Sequence, residues 1–222
     1  ENNQYKVRTK FLIVNEERQQ ELTSLNLKDI EVEAVNLGRK SEFVENSSYF
    51  ADRSLFKYSD LIEISKSEFL AANPIFVDGG EGNITWPRGR YEITEDLIIP
   101  KNLEVRIEAG VEILIGADKS VVSYSPIQFR GTQVERITIS SLDTQPYDTF
   151  AVIGKIGDDF GDVNIEYTDF SGGSEGYING AFISGMASFY RTPNTNISNS
   201  SFTGGAADDG LNVKYSNVYV TD

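Results

Sequence analysis

Val163–Gly173 reads VNIEYTDFSGG, and Thr195–Gly205 reads TNISNSSFTGG. At a shift of 32 residues, Asn164 matches Asn196, Ile165 matches Ile197, Phe170 matches Phe202, and Gly172-Gly173 match Gly204-Gly205. The unit is a strand, a polar turn, one aromatic, then Gly-Gly. Val218–Asp222 (VYVTD) reads as the next copy, cut short, and Ile137–Ser141 (ITISS) as a similar run upstream. One such copy has no way to bury its own apolar face, whereas stacked copies do. Strands stacked at about 4.8 Å form parallel sheets whose inward Ile, Val and Phe make one continuous core.

Working outward, the chain from about Ile75 consists of short β runs separated by Gly, Asn and Asp. They are Tyr91–Ile93, Leu97–Ile99, Leu103–Ile107, Val111–Ile115, Val134–Ile139, Val163–Tyr167, Ala181–Ile183, Ser188–Tyr190, Leu211–Tyr215 and Val218–Val220. No helical pattern appears after Asn73. Many short strands with turn signals predict an all-β architecture, and the repeat selects a solenoid over a sandwich or barrel.

Residues 1–75 have a different texture. Lys6–Val14 and Ile30–Val35 alternate as strands, and Glu16–Leu25 is polar and helix-permissive. Ser65-Lys66-Ser67-Glu68 fits a capping box ahead of a short helix, Glu68–Ala72, which Asn73-Pro74 stops. The expected organisation is a small α/β cap over residues 1–75 and a repeating β domain over 76–222. The chain breaks off at Val220-Thr221-Asp222, inside what reads as a strand, so the protein is expected to continue beyond it. It starts at Glu1 without an initiator Met or a signal-peptide pattern, as a mature or trimmed product would.

The chain has 222 residues, 20 Lys+Arg, 34 Asp+Glu, and neither Cys nor His. Without those two residue types there is no disulfide, no thiolate nucleophile, no Cys/His zinc site and no Ser-His-Asp triad. Any catalysis falls to carboxylates, Lys, Arg or Tyr, helped by a hard cation with oxygen ligands. The net charge of −14 argues against nucleic acid and anionic membranes. No apolar run approaches the roughly 20 residues needed to span a bilayer. Residues 1–75 carry a net −3 and the remainder −11, so the acid excess is concentrated on the repeats. That excess favours cations or a neutral glycan over an acidic polysaccharide as partner, unless Ca²⁺ bridges the two.

Gly89–Gly116, GRYEITEDLIIPKNLEVRIEAGVEILIG, resembles the opening coils of right-handed parallel β-helix proteins of the pectin-lyase-like superfamily. Phe129-Arg130-Gly131-Thr132 and Ile137-Thr138-Ile139-Ser140-Ser141 resemble the coil that often follows, with Arg136 where that superfamily commonly has Pro. The resemblance covers roughly residues 76–222. It implies a mainly β, single-stranded right-handed parallel β-helix of a bacterial exported or cell-surface type, with residues 1–75 as its N-terminal α/β cap. A looser resemblance is to β-helix domains that accompany CotH-like (spore-coat kinase-like) proteins. Residues 1–75 contain none of the kinase residues, so no kinase activity is implied. A β-helix has open ends with unpaired strand edges, which invite contacts.

The densest polar constellation is Gly204–Lys214, GGAADDGLNVK. Asp208 and Asp209 resemble the Asp-Asp turn of polygalacturonase-type β-helix hydrolases, with Lys214 further along. Paired carboxylates serve there as general acid and water-activating base. The Gly-His-Gly and Arg-x-Lys elements of that family are missing, and the same two acids also suit a solvent-facing turn. A second option is a Ca²⁺ site built from Asp169, Glu175, Asp208 and Asp209 on neighbouring coils, with Arg191 or Lys214 as the base of a polysaccharide lyase. Only Lys155, Arg191 and Lys214 are basic after residue 150, against nine acids, so charge balance is the alternative role for each. Gly157–Asp162 is an acidic loop without the ligand spacing of a calcium-binding hand.

Trp86, Tyr167, Tyr177 and Tyr190 are candidates for a glycan-facing aromatic strip, with core packing as the alternative, for Trp86 above all. Asn46, Asn83, Asn196 and Asn199 head Asn-x-Ser/Thr triplets, which are glycosylation sites only in a suitable host. The functional expectation is an exported or cell-surface module that binds or scaffolds polysaccharide. The alternatives are a hydrolase or lyase using Asp208/Asp209, and a structural component of a surface assembly that joins through the open coil ends.

Overall fold

The structure, a computed structural model, describes residues 64–154, 160–178 and 181–222, together with the backbone of 35–36 and 39–40. The chain divides into two compact units, Glu1–Phe50 and Ala51–Asp222. In the first, β1 (Val35–Asn36) pairs antiparallel with β2 (Arg39–Lys40). The expected strand at 6–14, the helical stretch at 16–25, most of the strand at 30–35, Asn46, and Lys155 with residues 157–159 of the acidic loop lie outside the described residues.

The second unit opens with α1 (Lys66–Ala72). Ser65 accepts from the Glu68 backbone N–H, and the Glu68 side chain answers the Ser65 N–H, so the expected capping box is formed. Next comes β3 (Val77–Asp78), antiparallel to β4 (Asn83–Trp86). From β4 the chain visits three sheets in strict rotation. The first circuit is β4, β5 (Arg90–Ile93) and β6 (Leu97–Ile99). The second is β7 (Glu104–Ile107), β8 (Glu112–Ile115) and β9 (Val121–Ser123). The third is β10 (Ile127–Arg130), β11 (Ile137–Ser141) and β12 (Phe150–Ile153).

The fourth circuit is β13 (Val163–Glu166) and β14 (Thr168–Ser171), an inserted hairpin of β15 (Gly176–Ile178) and β16 (Ala181–Ile183), then β17 (Ala187–Tyr190). The fifth is β18 (Asn194–Ser198), β19 (Ser201–Thr203) and β20 (Leu211–Lys214), and β21 (Asn217–Thr221) follows. Sheet 1 has the order β21-β18-β13-β10-β7-β4-β3, sheet 2 β19-β14-β11-β8-β5, and sheet 3 β20-β17-β12-β9-β6. Apart from β3, every pairing in these sheets is parallel. The protein is therefore mainly β and built from several parallel sheets.

Alternation along each strand turns every second side chain inward. Register then stacks those side chains into columns, such as Trp86–Ile107–Phe129–Ile165–Ile197 in sheet 1 and Tyr91–Ile113–Ile139–Phe170–Phe202 in sheet 2. Phe129, Phe150 and Phe170, one from each sheet, meet with ring centroids 5.7–5.8 Å apart. All three sheets thus surround one core. Phe170 and Phe202 stack at 5.0 Å and 8°, which is the sequence repeat seen as a physical contact.

The repeated Gly-Gly also has its reason. Gly172 (φ 74) and Gly204 (φ 63) take the left-handed conformation that turns the chain out of sheet 2. Ile137–Ser141, the similar run upstream, lies in sheet 2 beside Thr168–Ser171, and the upstream equivalent of Val163–Glu166 is β10. Both sheets carry the same alternating pattern, so the pattern alone does not separate them. Val134, expected to begin a strand, is 90% exposed in the preceding turn.

At one end, α1 lays Phe69 on Phe76 (5.3 Å), Phe76 lies on Trp86 (4.7 Å), and Trp86 meets Tyr91 edge-on (5.8 Å). At the other end, β19, β20 and β21 each have a single strand neighbour, and Val218, Tyr219 and Val220 are exposed.

Candidate functional site

Three corners separate the sheets. The first leads from sheet 1 to sheet 2, the second from 2 to 3, and the third from 3 back to 1. The β15–β16 hairpin grows out of the second corner. Its alternation gives it two different faces. Ile178 and Ile183 pack with Val122, Tyr124 and Ala151, so the hairpin covers the outer face of sheet 3. Tyr177 and Phe182, directly opposite each other in register, face the other way. Tyr177 is 76% and Phe182 45% exposed, with ring centroids 4.8 Å apart at 38°. Large aromatic rings held in water by a hairpin anchored on its other face offer a stacking surface.

The hairpin ends at Ser184, and a polar network begins there. Ser184 Oγ accepts from Asn212 Nδ2 at 2.8 Å and from Lys214 Nζ at 2.9 Å. Asn212 Nδ2 also donates to Asp209 Oδ2 at 2.8 Å, and the Ser184 N–H donates to Tyr190 Oη at 3.3 Å. Lys214 Nζ stands 5.1 Å from the centre of the Tyr190 ring. Backbone pairing sets this arrangement: Met186 and Ala187 donate to the carbonyls of Asp209 and Gly210, stacking the Asp208-Asp209 turn on the end of the hairpin. Burial raises the affinity of the Tyr190 phenol for its proton, but hydrogen bonds from Ser188 and Ser184 and the Lys214 charge outweigh it and bring the phenol below its ordinary range.

The other expected site residues are distributed over the corners. Asp169 sits near the first corner, held by Arg136 Nε (2.6 Å) and Nη2 (2.7 Å) and by the Ser201 hydroxyl. Its register partner in the next circuit is Ser201, so the 32-residue repeat does not carry it to Asp208 or Asp209. Arg191 occupies the third corner at φ 56, exposed. Glu175, at the foot of the hairpin, shares the second corner with Asp208 and Asp209, and all three are exposed. Among the described residues, no group of three acidic side chains is placed to hold a metal ion. Asp209 and Lys214 are brought together, through Asn212 and Ser184.

The aromatic strip is corrected. Trp86 is fully buried beside Phe76 and Tyr91, where stacked strands demand an apolar column. Tyr167 sits at the first corner with Arg136 5.8 Å over its ring, and Tyr190 lies on sheet 3 under Lys214. Tyr177 alone of the four stands exposed, and its companion is Phe182.

An open groove of about 400 Å³ lies on the sheet 2 side of the second corner, lined by Ser140, Ser141, Asp143, Ser171, Gly172 and Gly204 among others. Among the described residues no helix is long and apolar enough to cross a membrane. The sequence signal missed Ser184 and Asn212. Asn212 stands inside the quoted GLNVK run, while Ser184 is 28 residues away and joins it only through the circuit. Compared with protein families, curated proteins and solved structures, the chain matches none of them.

Proposed function

We propose that the second unit is a right-handed parallel β-helix of an exported or cell-surface kind, and that it binds polysaccharide on its lateral face without transforming it. Right-handed crossing is the way twisted parallel strands connect in about 98% of cases. The observation that carries the binding reading is the Tyr177–Phe182 pair, two adjacent rings displayed on a buried-backed hairpin. Sugar rings present axial C–H groups to such faces. The hydroxyl-lined groove at the same corner adds donors and acceptors of the type that sugars use.

Binding without catalysis is supported by the setting of the carboxylates. Asp169 is held by Arg136 and Ser201 and lies apart from the Asp208-Asp209 turn, where Asp209 Oδ2 accepts from Asn212. Affinity electrophoresis through gels containing neutral or acidic polysaccharides tests the proposal. Retardation of the protein in at least one gel, lost when Tyr177 and Phe182 are both changed to Ala, is the expected result. Equal mobility in every gel, or release of reducing or unsaturated ends from a retarding polymer, overturns it.

A further inference from the structure

The network at the end of the hairpin has unused valences beside the aromatic pair. Ser184 Oγ takes two donors, Asn212 Nδ2 and Lys214 Nζ, and its own hydroxyl is engaged with the Tyr190 phenol, so Ser184 holds the Lys214 ammonium in place. Lys214 has further N–H bonds to give, and Asp209 keeps Oδ1 after Oδ2 receives Asn212. Phe182 precedes Ser184 by two residues at the end of a strand, so the aromatic face and this network adjoin. An ammonium donor and a carboxylate acceptor joined through one network match two neighbouring sugar hydroxyls, one accepting and one giving.

Charge then selects among sugars. Glu175, Asp208 and Asp209 share the second corner, and Lys214, at the far end of β20, extends only its ammonium back to Ser184 and the Tyr190 ring. The corner is net negative in a chain of net charge −14, and a polyanion pays like-charge repulsion on approach. We infer that Asp209 and Lys214, positioned by Asn212 and Ser184 and flanked by Phe182 and Tyr177, form a subsite for one residue of an uncharged polysaccharide bearing vicinal hydroxyls. This inference rests on the polysaccharide-binding proposal and assigns that surface its class of ligand and its polar contacts.

The test is titration calorimetry of the full chain with galactomannan, dextran, xyloglucan and polygalacturonate at neutral pH. The proteins are wild type, Lys214→Met, Asn212→Ala and the Tyr177→Ala/Phe182→Ala double variant. Thermal melting of each variant accompanies the titrations. Lys214 is exposed, so Lys214→Met keeps the test open if the buried Asn212→Ala fails to fold.

The expected result is heat with at least one of the three neutral polymers and none with polygalacturonate. Loss of affinity of about tenfold is expected in Lys214→Met, with melting unchanged. Binding of polygalacturonate in place of the neutral polymers overturns the inference and leaves the binding proposal standing. Neutral binding that Lys214→Met leaves untouched overturns the subsite. Absence of heat with all four polymers overturns both.

Discussion

Arg136 grips Asp169 with two parallel hydrogen bonds, Nε at 2.6 Å and Nη2 at 2.7 Å, from one circuit to the next. The same Nη2 donates to the Asn199 carbonyl at 2.8 Å, one circuit further. One side chain thereby ties three successive circuits at the first corner.

This clamp predicts an acid-sensitive contribution to stability. The Arg136 guanidinium, against the opposing effect of burial and helped by Ser201, holds the Asp169 carboxyl below the usual carboxylate range. The stabilisation is therefore present above the unfolded-state value near 4 and is lost as pH falls through the lower folded value. Both side chains are about a third exposed (34% and 32%), which tempers the gain. Asp169→Asn is expected to cost about 1–2 kcal/mol at neutral pH in urea unfolding. The difference from wild type should vanish well below pH 4. A difference that persists unchanged in acid would show that charge is not the source.

Asp148 predicts the opposite sign. Burial first, then the charges of Asp118 and Asp96 against the weaker help of Lys119, raise its carboxyl above the ordinary range. Ionised Asp148 costs stability at pH values above its folded value, and the cost is relieved as pH falls toward the unfolded one. Asp148→Asn should raise the melting temperature at neutral pH, by the equivalent of about 1 kcal/mol or less after solvent screening. The gain should shrink as the pH is lowered toward 4. A variant that melts lower than wild type at neutral pH would mean that the carboxylate is a needed hydrogen-bond acceptor.

The sequence repeat made the core legible because the same residues meet physically. Asn164 and Asn196 bond side chain to side chain at 2.8 Å, and Phe170 stacks on Phe202. The polar network was not legible, for a reason of arithmetic. Between the fourth and fifth circuits the offset is 32 in sheets 1 and 2 but 24 in sheet 3, because the hairpin is inserted between sheets 2 and 3. A single repeat length of 32 therefore mispositions the sheet 3 strand of the fifth circuit, Lys214 included. Burial was the other hidden quantity: Trp86 and Tyr177 are alike as residue types, and only the stacking of strands puts one inside and leaves the other in water.

Gly131 predicts a packing requirement at the first corner. A Cβ at this position would come within 2.6 Å of the Glu166 carbonyl oxygen and still closer to that of Tyr167. Glu166 pairs with Arg130 in the parallel ladder, and the Tyr167 carbonyl accepts from the Ile137 N–H, so both oxygens are held in place. Gly131→Ala should therefore destabilise by about 1–3 kcal/mol, the usual cost of overpacking. Gly131→Ala that unfolds at the wild-type denaturant midpoint would show that the corner can shift freely.

The hairpin predicts local rather than global loosening. Ile183 is fully buried, but it belongs to the small cluster with Val122, Tyr124, Ala151 and Ile178, outside the main core. Its removal strips the hairpin of an anchor without touching the three phenylalanines that join the sheets. Ile183→Ser deletes apolar contact and places a hydroxyl against an apolar surface, at a cost of about 2–4 kcal/mol to the hairpin's attachment. Hydrogen exchange should then accelerate over 176–183, while β12 and β17 beneath keep their parallel ladder and their protection. Any glycan bound through Tyr177 and Phe182 should be lost in the same variant, because the rings depend on the hairpin's buried side for their orientation. Exchange that accelerates equally across β12 and β17 would show that the hairpin and the circuits open as one cooperative unit.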